Sequence, residues 1–174
     1  MDDRAIVERQ LGRAPRAFRR VAVRCPFGLP AVTEQSPYDE RDEPFPTTYY
    51  LTCPWLVAAV ARIEAAGGVE RWSHAVAVDP ELAESLARAT AEQRELRAEL
   101  AGDRRGVDGG ASLALGIGGS RTPERLKCLH AQVAFALARP GYAVGERMLD
   151  ELEPAWPAQC CSDALRDPGY APPS

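Results

Sequence analysis

One six-residue run, Arg125-Leu126-Lys127-Cys128-Leu129-His130, brings together the only lysine, one of two histidines and one of five cysteines in the chain. Every other cationic side chain is arginine, so this lysine is a compact, titratable charge set against a background of planar guanidinium groups. Thiolate, imidazole and ammonium groups bind metals, move protons and hold anions. A plainer reading stands beside these: a solvated lysine on a helix that buries one cysteine.

Two further cysteines stand directly before proline, in Cys25-Pro26 and Cys53-Pro54. Proline suits a first helical position, because its missing N–H would lack an intrahelical partner there, and this makes Cys53 an N-cap candidate. A thiolate at a helix N-terminus is favoured by the free N–H groups and the dipole. Cys25, Cys53 and Cys128 are therefore the candidate metal ligands, with Cys160 of the Cys160-Cys161 pair as a fourth donor, and the metal would be zinc or an iron–sulfur cluster. No CxxC pair supports this set, and free cysteine also packs well as a small core hydrophobe.

On a regular helix, residues two apart are separated by about 200°, so Cys128 and His130 are expected on opposite sides. Lys127 and His130 share a face, which suggests an anion or acid–base pocket. His130 also falls on the apolar stripe of Leu126, Leu129, Val133 and Leu137, where a half-buried structural histidine is equally at home. The glycines of 116–119 lead into the start of this helix, where backbone N–H groups can hold phosphate or carboxylate. Arg24, Arg125, Lys127 and His130 are the candidate anion-binding residues. The loop has neither the dinucleotide fingerprint, because Arg121 stands where a third small residue is needed, nor the Gly-Lys-Ser/Thr ending of a P-loop.

The elements that must position these groups follow from periodicity and punctuation. Asp3 to Leu11 reads as a short helix closed by Gly12, Phe18 to Cys25 and Ala31 to Glu34 as a hairpin, and Thr47 to Thr52 as a third strand. A helix from Pro54 stops at Gly67-Gly68, another runs from Pro80 to about Leu100, and Thr122-Pro123-Glu124 opens a third that ends near Ala138. A last short helix covers Glu146 to Leu152. Residues 36–46 form a charged loop whose carboxylates, Asp39-Glu40 and Asp42-Glu43, are expected to be solvated. His74 falls in a linker as an exposed histidine. The fold class is α+β, with a small N-terminal antiparallel sheet of about three strands packed on three to four helices. One domain covers 1–162, with a flexible Gly-rich loop near 102–120 and a disordered tail over 163–174.

The 174 residues are 45% hydrophobic, enough for one real core, and the net charge of −4 with dispersed arginines offers no nucleic-acid-binding face. No basic start followed by an apolar run opens the chain, and no apolar stretch has membrane-spanning length, so a cytoplasmic protein is expected. In that compartment an odd set of cysteines is read as thiols or ligands.

Leu11-Gly12-Arg13, Arg24-Cys25-Pro26 with Gly28 and Pro30, Pro44-Phe45-Pro46-Thr47, Tyr50-Leu51-Thr52-Cys53-Pro54, Ile63-Glu64 and the run from Pro123 to His130 together resemble the bacterial family called domain of unknown function 501. The resemblance supplies no reaction. It implies a small cytoplasmic protein with genes near a septum factor and an exopolyphosphatase, and a functional centre among Arg24, Cys25, Cys53, Arg125, Lys127, Cys128 and His130. Tyr142-Ala143-Val144-Gly145-Glu146 replaces an Asn-Pro-x-Gly-Asp run, so a site built on that run would be altered. The resulting expectation is a thiolate-centred zinc or iron–sulfur protein with a neighbouring basic groove for a small anionic or phosphorylated ligand. The alternative is a non-catalytic interaction or scaffold protein, linked to cell division or the envelope, that meets a protein partner.

Overall fold

The computed structural model describes residues 2–122 and 125–161; Pro123 and Glu124, where the sequence signals a helix start, and the tail over 163–174 lie outside the described residues. The architecture is α+β, as the sequence implies. Helix α1 (Asp3–Leu11) ends on Gly12, whose φ of 67° supplies the left-handed turn that closes it. It packs on the hairpin of β1 (Phe18–Arg24) and β2 (Pro30–Gln35), where Gln10 donates to the Pro30 carbonyl at 2.8 Å. Strand β3 (Tyr49–Leu51) joins the free edge of β2, giving the antiparallel order β1-β2-β3. The central strand is buried throughout, including Glu34, which Arg20 holds at 2.7 Å.

Helix α2 (Pro54–Ala65) begins with Cys53 at the N-cap and Pro54 in the first turn, as the dipeptide implies. The segment read as a linker around His74 is instead helix α3 (Gly68–Val78). Gly67, at φ 81°, turns the chain, and Trp72 and Val76 then bury a stripe that the two adjacent glycines obscure in the sequence. His74 is exposed, as expected. Helix α4 (Pro80–Ala101) is capped by Asp79, which accepts the Glu81 and Leu82 N–H groups at 3.0 and 3.4 Å. Its Arg97 is wholly buried and donates to the Phe45 carbonyl at 3.0 Å, which anchors the charged loop to α4.

Within that loop Asp39 is not solvated. It is buried, and accepts the Arg41 and Glu43 N–H groups at 2.9 and 3.0 Å and an Arg16 nitrogen at 2.8 Å, so it is the anchor of the turn. The glycine-rich stretch contains two 3-10 turns, Ala111–Ala114 and Ile117–Gly119. Helix α5 (Leu129–Ala138) crosses the sheet, with Phe135 edge-on to Tyr49 at 5.7 Å and to Tyr142 at 5.6 Å. Helix α6 (Ala143–Asp150) packs on α5 so closely that a Cβ on Gly145 would stand 2.5 Å from the Gln132 carbonyl. The Tyr142 to Glu146 segment thus serves the α5–α6 contact, with the buried Tyr142 hydroxyl donating to Gln132 Oε1 at 2.5 Å. Among the described residues no helix is long and apolar enough to cross a membrane.

Candidate metal centre at the start of α5

The helix expected from Thr122 begins seven residues later, at Leu129. Cys128 is its N-cap and is extended, with φ −147° and ψ 118°. Residues 125–128 alternate accordingly: Arg125 and Lys127 face solvent, while Leu126 is buried and Cys128 half-buried. The 200° separation expected of two residues on one helix therefore does not apply, because only His130 lies on the helix. An extended N-cap carries the Cys128 side chain back beside His130, with their donor atoms within 4.8 Å of each other.

Glu64, in the last turn of α2, completes the group. Its Oε1 accepts the Leu129 N–H at 2.7 Å and lies 3.3 Å from His130 Nδ1. The other ring nitrogen, Nε2, is 3.1 Å from the Val57 carbonyl oxygen. A carbonyl only accepts, so Nε2 carries the proton of that bond and Nδ1 is the nitrogen turned toward Glu64 and Cys128. Among the described residues, Glu64, Cys128 and His130 are the set of three metal-ligating types whose donor atoms all lie within 4.8 Å of one another. All three are half-buried, which leaves the group reachable from solvent.

The electrostatics favour a charged ring in the metal-free protein. Burial opposes the imidazolium, but the Cys128 hydrogen bond, the Glu64 and Cys128 charges and the Val57 carbonyl outweigh it and raise the His130 pKa to about 9.

The other sequence candidates fall elsewhere. Cys25 and Cys53 are buried and are not members of the Glu64–Cys128–His130 group, so Cys25, Cys53 and Cys128 are not gathered into one set of mutually close donors. Cys53 is the N-cap of α2 without a side-chain cap hydrogen bond, and its pKa is lowered to about 7, by the Cys161 side chain first, against burial. Cys160 is half-buried beside Cys161. Arg24 is occupied by Asp3, at 2.7 Å, and by the Gly28 carbonyl, at 3.0 Å. Arg125 and Lys127 are exposed immediately before Cys128, and the Lys127 nitrogen lies 3.9 Å from where a Cβ on Gly119 would stand.

Glu64 is the residue that motif reasoning does not mark as a ligand. Its signal is a carboxylate at the C-terminal end of a helix, where the dipole disfavours negative charge and another partner must compensate.

Residues 21–150 match the family described as "Protein of unknown function (DUF501)". The chain belongs to the DUF501 family. All three members of the group lie inside the matched span, as do Cys25 and Cys53, whereas Cys160 and Cys161 lie beyond this DUF501 region. No curated protein and no solved structure matches the chain.

Proposed function

We propose that this DUF501 protein is a metal-binding protein of the cytoplasm. Its centre is Glu64, Cys128 and His130, and its metal is a divalent ion of the zinc class. The observation that carries the reading is the convergence of one oxygen, one sulfur and one nitrogen donor within 4.8 Å, with the ring already oriented by a backbone carbonyl. Such an outer hydrogen bond from the second ring nitrogen is the usual companion of a ligating histidine. Mixed S/N/O donors suit zinc, and a set of three leaves a fourth position for water or a ligand. An iron–sulfur cluster draws on several thiolates, and this group holds one.

Arg125 and Lys127 extend the reading to an anionic ligand. Both are exposed on the stretch that leads into the centre, so they supply positive charge where a phosphate or carboxylate would approach an open metal position. Arg24, held by Asp3, is not needed for this groove.

The test is metal content and zinc titration of wild type beside Glu64→Gln, Cys128→Ser and His130→Ala. One zinc per chain, removable by a chelator and weakened at least tenfold in each variant, is the expected result. Wild type that takes up no zinc, iron, cobalt or nickel would overturn the reading and leave the protein-interaction alternative as the account of the chain.

A further inference from the structure

Away from the metal centre, α4 buries a cation whose charge no bonded carboxylate answers. Arg97 is 0% exposed, and only its Nη1 is engaged, by the Phe45 carbonyl at 3.0 Å and Thr48 Oγ1 at 3.5 Å. Its Nε and Nη2 are buried with no hydrogen-bond partner among the described residues. Asp108 is the carboxylate whose charge bears on Arg97, but it is committed elsewhere: Oδ1 accepts the Gly110 N–H at 3.1 Å and Oδ2 the Ser112 N–H at 2.8 Å. A guanidinium keeps its proton in a protein interior. Buried charge of this kind is costly unless it is both neutralised and hydrogen-bonded.

The segments around Arg97 add donors. One turn earlier on α4, Gln93 and Arg94 donate to the Leu115 and Ala114 carbonyls at 3.3 and 2.7 Å, which lays the first 3-10 turn along the helix. Tyr38 pairs across the charged loop with Pro44, next to the Phe45 carbonyl that Arg97 grips. Gly106 covers the Tyr38 ring so closely that a Cβ would stand 2.3 Å from it. Tyr38 and Ser112 are buried, and their hydroxyl oxygens have no hydrogen-bond partner of ordinary geometry among the described residues. Burial pushes the Tyr38 phenol above its ordinary pKa, so it remains an O–H donor.

We propose that Arg97 holds a buried monovalent anion of halide size, chloride being the abundant example, with the Tyr38 and Ser112 hydroxyls as flanking donors. Enclosure sets the size, because Arg97, Tyr38 and Ser112 are 0%, 1% and 6% exposed and leave no opening for a larger oxyanion. One guanidinium without a bonded carboxylate sets the charge. The free groups of Arg97 are all N–H donors, which an anion satisfies while neutralising the cation; a water meets the donors and leaves the charge. The ion ties α4 to the loop over 36–46 and to the glycine-rich stretch, so its binding is read as stability of the whole fold.

The experiment uses the full chain, treated with a chelator so that halide cannot act as a metal ligand. Thermal unfolding is followed in sodium chloride, sodium bromide and sodium gluconate at equal ionic strength, gluconate being too large for an enclosed site. The expected result is a midpoint about 2–5 °C higher in either halide than in gluconate, saturating as one site fills. The difference shrinks in Tyr38→Phe and disappears in Arg97→Met. Crystals of the wild type grown in bromide supply a readout that needs no variant to fold: an anomalous peak at hydrogen-bond distance from Arg97 Nε and Nη2 is expected. Equal midpoints in halide and gluconate overturn the inference, as do bromide peaks confined to surface arginines as adventitious ions only, or a water without anomalous signal at Arg97.

Discussion

The Glu64 carboxylate caps helix α5 from outside, accepting the Leu129 N–H at 2.7 Å across 65 residues of sequence. The same oxygen faces His130 Nδ1 at 3.3 Å, so one side chain both starts the helix and defines the mouth of the candidate centre. Its two duties can be separated by mutation.

Glu64→Gln keeps a carbonyl oxygen for Leu129 and removes the charge. Its stability should fall by less than about 1 kcal/mol, while metal affinity drops at least tenfold. Glu64→Ala removes the cap as well and should cost about 1–2 kcal/mol. Urea unfolding of the metal-free proteins, set beside zinc titration, checks both.

His130 gives the metal-free protein a pH dependence of known sign. Its folded pKa, about 9, exceeds the ordinary 6.5, so the stability it contributes is complete below about 6.5 and is lost as pH rises through about 9. The unfolding midpoint of wild type should therefore decline over that interval more steeply than that of His130→Gln. Metal binding runs the other way, because a ligating ring must give up its Nδ1 proton, so zinc affinity should rise with pH over the same range. Calorimetry in buffers of differing ionisation enthalpy would register the released protons.

Gly118 ties the glycine-rich stretch to the centre. It sits at φ 70°, and an added Cβ would stand 3.1 Å from Ala131 Cβ and 3.4 Å from Cys128 Cβ. Gly118→Ala should destabilise by about 1–3 kcal/mol through backbone strain, and it should also weaken zinc binding by crowding Cys128. Thermal unfolding with and without zinc separates the two losses.

Gly145→Ala is the matching test away from the centre. Its Cβ would meet the Gln132 carbonyl and Ala136 Cβ at 2.5 Å, so α6 must lift from α5. A loss of about 1–3 kcal/mol is expected from overpacking, with little change in zinc affinity because Gln132 and Ala136 are not members of the donor group. Equal losses in both measurements would show that the α5–α6 contact sets the centre's geometry.

The elements with local signals were legible in the sequence: α1 closed by Gly12, the β1–β2 hairpin, and α2 beginning at Cys53-Pro54. Two features were hidden for physical reasons. Gly67-Gly68 reads as a stop, yet Gly67 only turns the chain, and Gly68 is needed in α3 because a Cβ there would lie 2.6 Å from the Ile63 carbonyl. The start of α5 was misplaced because its cap is nonlocal. No serine, threonine or aspartate stands at 128, and the compensating carboxylate comes from α2. With that boundary misplaced, Cys128 and His130 were assigned to opposite faces, and Glu64 went unmarked as their companion. The run that holds Cys128 and His130 was visible throughout; its third donor required the fold.

The most direct measurement is the absorption spectrum of the chain titrated with cobalt(II), which reports both a thiolate ligand and coordination geometry. One equivalent should produce a sulfur-to-cobalt charge-transfer band and the visible bands of a four-coordinate ion, and Cys128→Ser should abolish the charge-transfer band while Cys25→Ser retains it. A spectrum identical to free aqueous cobalt, or a charge-transfer band unchanged in Cys128→Ser, would contradict a centre at Glu64, Cys128 and His130.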